Sequence, residues 1–161
     1  MLQRIQTVFL FIIVVLMAVY IFSPVWISTP DSTDSISRIY PFFLYTTTID
    51  APDTGDVTYW PYMVSGILAV VTILVALAEI FSYNNRMKQV KLGALNSLLI
   101  AGVLFAAVFF GNQGQLQWEQ AGQGSYSVGM FFPTLAIICN FVANRFIRRD
   151  EKVVKSMDRL R

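Results

Sequence analysis

Four stretches of the chain carry no charged side chain: Thr7–Trp26, Tyr62–Ala78, Leu92–Phe110 and Val128–Asn144. Each is rich in Ile, Leu, Val, Phe and Ala. Each is about as long as a helix must be to cross the hydrocarbon core, roughly 17–25 residues. A soluble protein can bury one such helix. Four of them within 161 residues leave too little polar sequence to cover them. Charged residues make up only 14% of the chain, against about 25% in a soluble domain. These stretches predict an all-α membrane protein. The expected fold is a four-transmembrane-helix bundle in one domain over residues 1–161, with spans near 7–26, 62–81, 92–110 and 128–147. Arg4 precedes the first span, as it would in a secretory signal. The exit Ser23-Pro24-Val25-Trp26 has no small-x-small cleavage site, so a retained first helix is expected.

The basic residues give these spans a direction. Arg4, then Arg86, Lys88 and Lys91, then the seven Lys and Arg residues from Arg145 onward are eleven of the twelve in the chain, and all fall on one side. The loop 27–61 has Arg38 against Asp31, Asp34, Asp50, Asp53 and Asp56. The loop 111–127 has no Lys or Arg and one acid, Glu119. The positive-inside rule places both termini in the cytoplasm and the loops 27–61 and 111–127 outside. Trp26, Tyr59, Trp60 and Tyr62 lie at the outer span ends, as an interfacial aromatic belt does.

The outer loops are not featureless. Residues Ser37–Asp50 are dominated by β-branched and aromatic side chains, which favour extended structure, and Pro41 argues for an edge position. Ala51-Pro52-Asp53-Thr54-Gly55-Asp56 reads as a turn and Val57–Trp60 as a returning strand. Gln115–Gln120 alternates in character and offers a further strand. A small β-like element built from both loops is expected. It acts either as a lid over the helix ends or as a docking face for a partner. The spacing of the five Asp residues matches no calcium loop. In the tail, 148–161, Val153, Val154, Met157 and Leu160 share one helical face. That face either continues the fourth span at an anionic lipid surface or docks on a cytoplasmic partner.

Polar groups recur at one depth. Arg4, Glu79, Asn96, Asn140, Asn144 and Arg145 all fall near the cytoplasmic ends of the spans. They predict a hydrogen-bonded intramembrane cluster in which Glu79, near the interface and partly hydrated, pairs with Arg4 or Arg145. Such a cluster serves as glue between helices or, in the sharper reading, as an ion or proton relay. Gly93, Ser97 and Ala101 repeat every four residues, a small-residue stripe that lets another backbone approach. The chain has no His, which excludes histidine-ligated metals and histidine bases. It has one Cys, Cys139, which excludes an intrachain disulfide and a paired-thiol redox centre. No nucleophile-and-base arrangement is visible, so no enzyme and no cofactor or metal is expected.

Three segments carry a family resemblance: Met1–Thr7, Asn85–Leu92, and Asn140–Arg145 running into Asp150–Arg161. Together they resemble a family of uncharacterised four-span integral membrane proteins of Bacteroidetes, along the whole chain. The resemblance implies a bacterial inner-membrane location. That family has no established activity, so no site residue transfers from it. Four spans with a long first outer loop also resemble claudin-like bundles in architecture, but the paired loop cysteines of claudins are absent.

The function expected from these readings is non-catalytic: an accessory or assembly subunit of a larger membrane complex. The alternative is a small transporter or channel with Glu79 as its ion or proton site. The partners expected are membrane lipids and a membrane-protein complex of unknown identity, without nucleic acid.

Overall fold

The computed structural model describes residues 2–28, 35–48, 51–82, 85–117 and 124–158. The elements run α1 (Leu2–Phe22), β1 (Trp26–Ser28), β2 (Ser35–Ile39), β3 (Leu44–Thr48), β4 (Ala51–Thr58), α2 (Met63–Phe81), α3 (Arg86–Gln117), β5 (Gly124–Tyr126) and α4 (Phe131–Asp158). The fold is mostly helical. All four helices are long and apolar enough to cross a membrane.

The helix ends follow local chemistry. Pro24 has no amide hydrogen and disfavours helix in the residue before it. The Ser23 hydroxyl donates to the Val19 carbonyl at 2.8 Å. The first helix therefore stops at Phe22, short of the expected boundary at Trp26, and Trp26 opens β1. At the start of α3, the Asn85 side chain accepts from the Lys88 amide at 3.2 Å, an N-cap bond. The helix then runs 32 residues, well past both ends of its charge-free centre. Gln115–Gln117, expected as part of a strand, are its last turn.

The β element is larger than its sequence signal. Five antiparallel strands lie in the order β4-β3-β2-β1-β5. Two corrections arise here. Ala51–Asp56 is not a turn but most of β4, which runs to Thr58. The strand described between α3 and α4 is Gly124–Tyr126; of the expected strand Gln115–Gln120, residues 115–117 are helical and 118–120 lie outside the described residues. Pro and Gly suppress a strand reading, yet β4 occupies a sheet edge, where missing donors and side chains cost least. Pro41 sits in the connection between β2 and β3. Its carbonyl accepts from the Gly66 amide at 2.8 Å and from the Ser65 hydroxyl at 2.9 Å. This satisfies a donor that the first turn of α2 would otherwise leave unpaired.

The helices form a ring in which α1 packs on α2 and α4, and α3 packs on the same two. The buried residues repeat at alternating steps of three and four on every helix. They are Leu10, Ile13, Met17 and Tyr20 on α1; Ala69, Thr72 and Ala76 on α2; Ile100, Val103 and Ala107 on α3; and Ala136, Asn140, Ala143 and Ile147 on α4. This three-and-four spacing is that of the seam of a helix bundle. On α2 the buried side reads Ser65, Gly66, Ala69, Thr72, Ala76 and Glu79, so small residues bring this helix close to its neighbours. The sheet closes the end of the bundle where α1 finishes and α2 begins. The opposite end carries the basic residues.

Candidate functional site

At the basic end the seam changes from apolar to polar without breaking its spacing. Gln6 continues the series of α1, Glu79 that of α2, Gln89, Gly93 and Asn96 that of α3, and Asn140 lies within that of α4. Contacts at Gly93 join α2, α3 and α4 in one polar layer, and α1 adds the buried Gln6 near the same end. Glu79, Asn96 and Asn140 are each 0% exposed.

The layer is partly bonded. The Asn140 amide nitrogen donates to the Gly93 carbonyl at 3.2 Å and to the Ser97 hydroxyl at 2.7 Å. The Asn144 amide nitrogen donates to the same carbonyl at 3.1 Å, and the Ser97 hydroxyl also donates to it, at 3.0 Å. One backbone carbonyl of α3 therefore collects three donors, two of them from α4. Gly93 makes this approach available. A Cβ there would overlap the Asn144 amide oxygen and lie 2.9 Å from the Glu79 carboxyl. Both Glu79 carboxyl oxygens, both polar atoms of the Asn96 side chain, and the Asn140 amide oxygen have no hydrogen-bond partner among the described residues. A carboxyl buried without a donor is the costliest group in the layer.

The structure therefore alters the expected cluster. Glu79 is fully buried rather than partly hydrated. Arg145 is exposed, and no ion pair joins it to Glu79 among the described residues. Arg4 lies in α1, but its side chain is outside the described residues. Gly93 and Ser97 of the small-residue stripe face α4, whereas Ala101 is exposed. In the aromatic belt, Trp26 and Tyr62 are buried and Tyr59 and Trp60 are exposed. Val153, Val154 and Met157 lie in α4 with side chains outside the described residues, and Leu160 is outside them altogether. Gln6 and Gln89 are further buried polar groups of the bundle. Their step of three or four from the seam was the signal for them.

Beside the layer, on the outer face, a cavity of about 760 Å³ lies between α3 and α4. Ala94 and Ser97 line it from α3, and Phe141, Asn144, Arg145, Arg148 and Arg149 from α4. The three arginines are exposed.

These features define a class: a four-helix bundle whose helices are long and apolar enough to cross a membrane, capped at one end by an antiparallel sheet and polar within at the other. The chain belongs to the family described as a domain of unknown function, DUF4293, whose profile matches residues 2–160. A comparison with curated proteins returned no match.

Proposed function

We propose that this protein crosses the bacterial inner membrane four times, with both termini in the cytoplasm. We further propose that it serves there, without catalysis, as an accessory or assembly subunit of a larger membrane complex. The observation that carries the reading is the distribution of polarity. Phe11, Phe22, Leu74, Phe81, Leu98, Phe105, Phe131 and Phe141 are exposed on the helices, while Glu79, Asn96 and Asn140 are buried between them. Water would penalise that arrangement, and a bilayer or a membrane partner rewards it. The eleven basic residues on one side support the orientation. An ordered sheet with Tyr59 and Trp60 exposed beside it offers a partner a rigid surface outside the membrane.

The test is affinity purification of the natively expressed protein in mild detergent. A stoichiometric membrane-protein companion supports the subunit role. A clean monomer or homo-oligomer at native abundance counts against it.

A second reading has one specific observation in its favour. The two Glu79 oxygens, buried and without a donor among the described residues, can take a proton or a cation. In reconstituted vesicles, wild-type protein would then pass protons or monovalent cations, and Glu79→Gln at equal stability would abolish the flux. Equal flux in both proteins rules the relay out.

A further inference from the structure

The cavity between α3 and α4 plays no part in the subunit role, and its lining is that of an amphiphile site. Phe141, Arg145, Arg148 and Arg149 follow one another at steps of four, three and one, so they share a face of α4. Phe141 is 72% exposed and marks the apolar end. The arginines mark the other end, and no carboxylate pairs with them among the described residues. The floor is Ser97 with Asn144, both already tied to the Gly93 carbonyl. That bonding makes the floor rigid.

The dimensions also match a lipid. Arg145 to Arg149 rises roughly 6 Å along the helix. A bilayer has about 5–7 Å of headgroup region in each leaflet. Guanidinium groups present paired donors that fit phosphate oxygens. We propose that this groove binds an anionic phospholipid of the inner leaflet, with its phosphate held by Arg145, Arg148 and Arg149 and an acyl chain laid along Phe141. The proposal rests on the membrane reading above. It differs from general attraction of basic flanks to anionic lipid, because it assigns the affinity to one groove and three side chains.

The experiment uses the full chain in mild detergent, delipidated and then titrated with phosphatidylglycerol or phosphatidylcholine of identical acyl chains. Bound lipid is counted by native mass spectrometry. Wild type should hold phosphatidylglycerol about tenfold more tightly than phosphatidylcholine. The triple variant Arg145→Gln, Arg148→Gln, Arg149→Gln should lose that preference. The triple variant Lys152→Gln, Lys155→Gln, Arg159→Gln, which removes the same charge from the tail, should keep it. If the first triple fails to fold, Arg148→Gln and Arg149→Gln singly carry the comparison, each weakening binding several-fold.

Equal retention of the two lipids overturns the proposal, as does equal loss from both triples. Displacement of the lipid by millimolar inorganic phosphate overturns it in favour of a free-anion site. Alkaline carbonate extraction of native membranes separates the two levels. A chain released by carbonate refutes the membrane reading and the groove with it. A chain that stays in the membrane but ignores headgroup charge refutes the groove alone.

Discussion

Gly93 is the residue on which the polar layer turns. Its missing side chain leaves room for the Asn144 amide and the Glu79 carboxyl, and its carbonyl gathers three donors. Gly93→Ala should therefore lower stability by about 1–3 kcal/mol, the usual result of inserting a methyl group into a filled interior. A thermal melt in detergent measures it. Ala101→Val, four residues away from Ser97 on the same stripe but exposed, should change the melt by no more than about 0.5 kcal/mol. Asn140→Ala removes two bonds across α3 and α4 and should cost about 1–2 kcal/mol. A wild-type melt for Asn140→Ala would show that the layer adds nothing to the bundle. The sequence marked Gly93 as small and Asn140 as polar. It did not reveal that the two meet, because a contact between residues 47 positions apart depends on how α3 and α4 are rotated.

Between elements, the narrow join is the one that ties the sheet to the helices. β5 has three residues and would not hold its place by strand pairing alone. Gly124 lies against the Trp26 indole, and the Gly129 amide donates to the Pro24 carbonyl at 3.1 Å. The Tyr126 hydroxyl donates to the Asn112 side-chain oxygen at 2.9 Å, which fixes the strand to the last turns of α3. Partial burial pushes the Tyr126 phenol above its ordinary value. A raised value in the fold means that the neutral donor is favoured. Its contribution is complete below the ordinary tyrosine value and is lost as pH rises through the folded one. Tyr126→Phe should cost about 1 kcal/mol at neutral pH, and the difference from wild type should shrink at strongly alkaline pH. Hydrogen exchange at residues 124–130 reads the effect locally. Exchange there as slow as in wild type would mean that Gly124 and Gly129 hold the join without the hydroxyl. This element was legible only in part. Aromatic and β-branched residues announced β2 and β3, whereas Pro52 and Gly55 argued against β4, which forms because β3 offers it an edge.

For the molecule as a whole, the two ends differ in kind. One carries an antiparallel sheet, the other the basic residues and the polar layer. A reporter fused after Arg161 and one inserted between Ser82 and Asn85 should both read as cytoplasmic, and one inserted at residues 31–34 as external. The insertion sites fall between the described elements, outside every helix and strand of the core, where added chain is best tolerated. An external reading at the C-terminus would invert the proposed orientation and move the arginine groove to the opposite leaflet.

The number of helices, their apolar character and the asymmetry of charge between the ends were properties of the sequence alone. Each is a local sum over consecutive residues, and no tertiary contact can remove it. The depth of Glu79 was not of this kind. Read locally, seven residues from Arg86, it belongs near an interface. In the bundle it is wholly enclosed, because the seam of α2 continues through Ala76 to Glu79 and turns its carboxyl toward Gly93 of α3. The same holds for the Ser97 floor of the arginine groove, for Ala101 turned outward from its own stripe, and for Pro52 and Gly55 within a strand. Which side of an element is covered, and by what, depends on residues far away in the chain, so only the assembled structure decides it.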